Sequence, residues 1–258
     1  MLTDIDCTVR LPDTESIFQE GRTTPQVPNL SLVSDHCNPF PYHQLGHFAR
    51  VVVIASSLGR VVKYSMATQT QYAQPPWLSS SVYSEILGSL RNLESRWSLS
   101  AKDLGLLVEE TVVENDIADQ QPASHFVFSQ ALLHLSHCLL DHPVLLHHRS
   151  RSHGREIPHS FLAEALERCR QHASDLLALL DGARNCGCVL ESSVYGYCAL
   201  TAGTLHSLFE HHENASIALD STAKVSAALQ FLQAKAERHH SYKNMVCHRK
   251  MDPRRALQ

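Results

Sequence analysis

Between Leu162 and Leu180, apolar side chains recur at Leu162, Ala165, Leu166, Cys169, Ala173, Leu176, Leu177 and Leu180. Steps of three and four set all of them along one side of an α-helix. Such a stripe is stable in water only when something covers it, so the chain is committed to packing this helix against other elements. Ser160 suits the N-cap of this helix, and Gly182 suits its stop.

The same spacing marks further helices. From Tyr42 to Met66 the predicted inward face is Leu45, Phe48, Val52, Ala55, Gly59, Val62 and Met66. A helix from near Ser81 uses Val82, Ile86, Leu90, Leu93 and Trp97. Another begins near Ser124 and carries two stripes. Phe128, Ala131, Leu132, Leu135 and Leu139 form one, and Phe126, Leu133 and Leu140 lie roughly opposite. Apolar residues on two sides predict a buried helix, and Pro143 breaks or kinks it. Val194, Tyr197, Cys198, Thr201, Leu205, Leu208 and Phe209 mark the next helix. The last runs from about Ala215 to Arg238, with Val225, Ala228, Leu229, Leu232 and Ala236 inward. With no convincing strand pair or repeat, the expected fold class is all-α, a multi-helix array.

Pro12, Pro25, Pro28, Pro39 and Pro41 interrupt any helix near the start. The expected organisation is an irregular segment over 1–41, a helical domain over 42–240 and a basic, frayed tail over 241–258. The stretch "SLSAKDLGLLVEETVVENDIADQQPAS" is ambiguous and reads in part as a loop. With 258 residues and 43% apolar content, the chain is large enough to bury a substantial core. A formal net charge of −4 gives no basic excess of the kind that marks nucleic-acid binding. The first residues hold acids and no apolar run, so no export signal is expected. No apolar stretch reaches spanning length, so no membrane helix is expected either. The eight cysteines are scattered, which reads as reduced thiols in a cytosolic or nuclear compartment. Asn214-Ala215-Ser216 matches a glycosylation acceptor, but without export it has no consequence.

The stretch "ALLHLSHCLLDHPVLLHHRS" holds five histidines and a cysteine. His134, His137 and Cys138 share a helix side at i, i+3 and i+4, and such a trio with a water would suit zinc. Against that reading, no acidic residue sits between them as a base, and spacing marks no fourth ligand. A helix apolar on two sides favours buried, hydrogen-bonded histidines instead. Cys186-Gly187-Cys188 reads as a connector with free thiols, and His147-His148, His239-His240 and Glu109-Glu110 read as solvated. No G-x-G-x-x-G, P-loop or G-x-S-x-G motif occurs, so no catalytic, cofactor-binding or metal residue is assigned.

Five segments together carry a resemblance. "DIDCTVRLPD", "FARVVVIASSLGRVVKYSM", "PPWLSSSVYSEILGSLRNLESRW", "ALLHLSHCLLDHPVLL" and "IPHSFLAEALERCRQHASDLLALL" follow one another in order. They resemble successive elements in the regulatory, or middle homology, domain of fungal zinc-cluster transcription factors. The match runs from about Asp4 to Arg238. In that family His137, Cys138, His142 and Pro143 fall on a structural helix pattern, with no role as zinc ligands. The family's DNA-binding part is a cluster of six closely spaced cysteines followed by a basic linker. Here Cys7 and Cys37 lie thirty residues apart. The resemblance therefore implies a regulatory domain without its DNA reader, beginning inside that domain.

The expected protein is a non-enzymatic, nuclear or otherwise cytoplasmic transcription regulator without a cofactor. It would act through a protein partner, self-association or a small effector, with no specific DNA binding of its own. Because the family's first helices precede the matched region, an exposed apolar face is expected at Phe126, Leu133 and Leu140. The competing expectation is a small helical metal-dependent enzyme or metal sensor using His134, His137 and Cys138.

Overall fold

The computed structural model of the chain describes residues 45–67, 74–97, 121–151 and 156–237, with 10–14, 17, 20–22, 27–30, 113–114 and 117–118. Most of the first 41 residues, the 241–258 tail, Glu109-Glu110 and His239-His240 lie outside these. Seven helices make up the described chain. They are α1 (His47–Met66), α2 (Val82–Trp97), α3 (Gln121–Leu140), α4 (Pro143–Arg151), α5 (His159–Asn185), α6 (Ser193–Ser207) and α7 (Ala215–Ala236). The only paired strands described are β1 (Val113–Glu114) and β2 (Ile117–Ala118), which are antiparallel. The protein is an all-α, multi-helix array. Among the described residues, no helix is long and apolar enough to cross a membrane.

Local chemistry sets most helix ends. Ser81 Oγ accepts from the Ser84 backbone N–H at the start of α2. Ser192 caps α6 through the Val194 N–H, and Asn214 caps α7 through the Ser216 N–H. Pro143 opens α4 because its fixed φ suits a first helical position and its missing N–H leaves nothing unpaired there. The long α5 starts after Pro158 rather than at a Ser160 cap, and it runs past Gly182. It stops where Gly187 adopts φ +78°, with Gly187 N–H to Arg184 O and Cys188 N–H to Ala183 O. This is the Schellman arrangement, in which a left-handed residue lets the chain fold back onto the last carbonyls.

α3 is the central element and is buried on almost every side. One side, including Ala123, Val127, Ala131, Leu135 and Cys138, packs with α5, α6 and α7. Small residues such as Ala173, Ala199 and Ala202 let these helices approach closely. The other side offers Leu132, Leu133 and Leu140 to α1 and α2, through Ala49, Val53, Ile54, Val61, Tyr83, Ile86, Leu90 and Leu93. Leu11 and Leu30 from the N-terminal segment join this second core.

The stripe of Phe126, Leu133 and Leu140 is therefore interior, at 4%, 1% and 2% exposure, and not an open docking face. α1 supplies cover on this side, through Ala49, Val53, Ile54 and Val61. α1 itself is rotated from the predicted face. Ala49, Val53, Ile54, Val61 and Tyr64 are inward, whereas Phe48, Ala55 and Met66 are exposed. Val51-Val52-Val53-Ile54 is apolar at four consecutive positions, so spacing alone could not select a face. On α6, Tyr197 is exposed, as is Leu208 just past its end, while Tyr195, Gly196 and Gly203 are buried. The close-packing side of that helix is lined with small residues, which a hydropathy pattern overlooks.

On α5 the inward set from Ala165 to Leu180 is observed, except that Leu162 and Leu166 are only half-buried. Leu176→Ala should therefore cost about 2–5 kcal/mol, as expected for a filled core site. Leu166→Ala should cost clearly less. Urea denaturation midpoints of the two variants check this; equal losses would contradict the observed packing.

Candidate functional site

Two clusters of polar side chains lie in the seam where α2, α3 and α5 meet. In the first, Tyr83 on α2, Asp141 just after α3 and Arg168 on α5 close on one another. The Tyr83 hydroxyl donates to Asp141 Oδ1. Arg168 Nε donates to Asp141 Oδ2 at 3.1 Å, and an Arg168 terminal nitrogen donates to the Tyr83 oxygen at 2.8 Å. Asp141 is fully buried. Burial pushes its carboxyl above the usual range, and the Arg168 guanidinium opposes that shift. Burial, then the neighbouring Asp141, raises the Tyr83 hydroxyl well above the usual phenol range, so it stays protonated and donates. This triad was not legible in the sequence. Its members are 58 and 27 residues apart, and only the Asp within "LLDHP" hints at a buried charge.

The second cluster holds two of the histidines of the "ALLHLSHCLLDHPVLLHHRS" stretch, His134 and His137. His134 Nδ1 lies 3.1 Å from His172 Nδ1, with the rings tilted by 47°. His137 stacks on His172 at 3.9 Å between centroids and 6° between planes. His137 Nε2 is 3.8 Å from Glu94 Oε2 on α2. His137 is fully buried, and neither of its ring nitrogens has a hydrogen-bond partner among the described residues. Burial lowers His134 to about 4, burial and then His134 lower His172 to about 4, and burial with His172 and His134 lowers His137 to about 2. All three are neutral imidazoles at neutral pH. Burial, then Asp175, raises Glu94.

Cys138 does not join this cluster. It is one residue on from His137, about 100° round the helix, and it points into the apolar core with Cys169 and Cys198. Burial raises its thiol, and it raises Cys198 to about 12, so neither offers a thiolate. The trio His134, His137 and Cys138 is thus not assembled. The partners in its place are Glu94, His172 and Asp175, from two other helices, which spacing within one helix cannot reveal. Cys188 is a buried core residue and Cys186 is half-buried; both belong to the turn that ends α5. His147 and His148 are exposed on α4. Asn214 is the α7 cap.

His206 is a further buried histidine on α6. Its Nε2 meets Ser174 Oγ of α5 at 3.2 Å, and its Nδ1 meets Ser221 Oγ of α7 at 3.4 Å. It pins three helices together, and burial lowers it to about 4.

No protein-family model and no solved structure matches the chain. Curated proteins do. The Zn(2)-C6 fungal-type transcription factor FTF1c of Fusarium oxysporum f. sp. lycopersici is 26% identical over 234 residues, covering 87% of this chain and 24% of that protein. The Zn(2)-C6 fungal-type transcription factor FTF1a of the same fungus is 28% identical over 178 residues, covering 67% of this chain and 15% of that protein. The chain thus spans a quarter or less of the length of these relatives. It is distantly related to zinc-cluster transcription factors over most of its own length. The zinc cluster in the relatives' names finds no counterpart in the described cysteines. Cys138, Cys169 and Cys198 are buried thiols in apolar surroundings, and Cys186 and Cys188 form a helix stop.

Two outcomes follow. Arg168→Met should destabilise by about 3–5 kcal/mol, because it strands the buried Asp141 carboxylate. Asp141→Asn, which removes the charge but keeps the shape, should cost less; denaturant unfolding of both variants checks the order. For His206, the unfolded chain binds its proton first as the pH falls, because the folded value is depressed. Its contribution is present in full above 6.5 and is lost progressively down to about 4. The loss should be about 2 kcal/mol at pH 5. His206→Gln should flatten stability against pH in that window, and an unchanged slope would refute the assignment.

Proposed function

We propose that this chain is the helical regulatory region of a transcription regulator of the fungal zinc-cluster type, working in the nucleus through protein contacts. The observation that supports it most is the similarity to named transcription factors across 87% of the chain. The helical architecture accords with it. Helices packed round a buried centre present a broad, rigid surface, which suits protein recognition. The reading assigns no catalysis to any residue, and it gives this stretch no DNA-reading role. The Phe126, Leu133 and Leu140 stripe takes no part in partner binding, since it is interior.

Fused to an unrelated DNA-binding domain, the chain should change the output of a reporter bearing that domain's site. An output equal to that of the DNA-binding domain alone would overturn the reading. Alone, the chain should show no preferred sequence in a gel-shift assay at physiological salt. Any weak binding should be non-specific and should fade as salt rises, because it would rest on phosphate contacts.

A further inference from the structure

The histidine seam carries an inference that goes beyond the regulatory reading and does not depend on it. Two sets of potential donors bring their ligand atoms within 4.8 Å of one another: Glu94, His137 and His172, and His134, His172 and Asp175. His172 belongs to both. An imidazole nitrogen binds a metal through a lone pair that lies in the ring plane. His137 and His172 are stacked with nearly parallel planes, so no single ion lies in both planes at once. His134 and His172 are different. Their rings are tilted by 47°, and their Nδ1 atoms face each other at 3.1 Å. Two nitrogens bound at about 2.0–2.1 Å to a tetrahedral zinc lie about 3.3 Å apart, so this pair already has nearly the required separation.

We propose that His134, His172 and Asp175 form a binding site for one zinc-class divalent ion at the α3–α5 junction. The ion bridges α3, which carries His134, to α5, which carries His172 and Asp175 one turn apart. Water completes the tetrahedron. The proton now shared between the two Nδ1 atoms moves to Nε2 of the same ring, which frees both lone pairs without changing either imidazole's charge. Asp175 is already oriented, since Gln171 Nε2 donates to its Oδ1 at 3.0 Å. His137 supports the site by holding the His172 ring with its stacked face. Arg168 on α5 opposes positive charge at His172, and Asp141 engages it. Arg91 on α2 is offset by Glu94. Imidazole with one carboxylate favours zinc and its first-row neighbours over magnesium or calcium. The ligand class is therefore a transition-metal ion acting on the scaffold as an effector.

The test uses the full 258-residue chain after dialysis against a chelator. Zn²⁺ is titrated calorimetrically, and Co²⁺ is followed by its visible absorption, whose intensity reports tetrahedral geometry. One equivalent should bind and raise the thermal midpoint. Asp175→Asn keeps the side-chain shape, and His134→Phe removes a ligand; circular dichroism confirms that each is folded. Each should lose affinity by at least the about 10–100-fold that removal of a mere outer-shell partner causes. His137→Phe keeps an aromatic face on His172 and should bind nearly as well as the parent. Failure of the parent chain to bind one equivalent would overturn the site. So would undiminished binding in both Asp175→Asn and His134→Phe. Loss in His137→Phe alone would overturn this ligand set.

Discussion

The constraint on which the rest of the molecule depends is the burial of α3 on almost every side. A helix of 20 residues with most of its side chains buried must be surrounded, and the neighbouring helices divide that task. α5, α6 and α7 cover one side, and α1 and α2 cover the other. The polar groups that α3 carries inward must then find partners within the protein, since an unpaired buried group is costly. Ser129 and Ser136 bond back to carbonyls of their own helix, at Phe126 and Leu132. The Gln130 amide reaches the Trp97 carbonyl at the end of α2. The two ring nitrogens of His137 have no hydrogen-bond partner among the described residues, and this side chain lies in the seam proposed to hold a metal ion.

Both polar clusters belong to that one seam. Asp141 meets Arg168, and one to two turns away His134 meets His172, so α3 and α5 run antiparallel with matched positions. Tyr83 and Glu94 extend the seam onto α2. Buried ionic groups of this kind add little net stability, because desolvation offsets much of the Coulombic gain. What they fix is the relative placement of helices. Apolar faces tolerate sliding by a turn, whereas a guanidinium between a carboxylate and a phenol does not. The seam thus sets the register that the two apolar cores fill.

The similarity to zinc-cluster transcription factors extends over most of the chain while covering a quarter or less of those relatives. A self-contained pair of cores inside such a stretch accords with a module that presents surfaces to partners.

Much of this was legible in the sequence. Period determined that the chain is all-α, roughly where α2, α5 and α7 lie, and that Pro143 separates two helices, while the Ser160 and Gly182 ends of α5 and the exposed face on α3 did not hold. The features that held are local properties, settled by residues a few positions apart. The sequence also marked His134 and His137 as an unusual pair. It could not say which side of α1 faces inward, because four consecutive apolar residues satisfy either choice. Nor could it show that α1 covers Leu133 and Leu140, or that Cys138 turns away from the histidines toward Cys169. Only the tertiary structure placed Glu94, His172 and Asp175 beside His134 and His137, and Arg168 beside Asp141. Those contacts join residues tens of positions apart on three helices. No periodicity within one helix encodes such a meeting, because it depends on the angles at which whole helices cross.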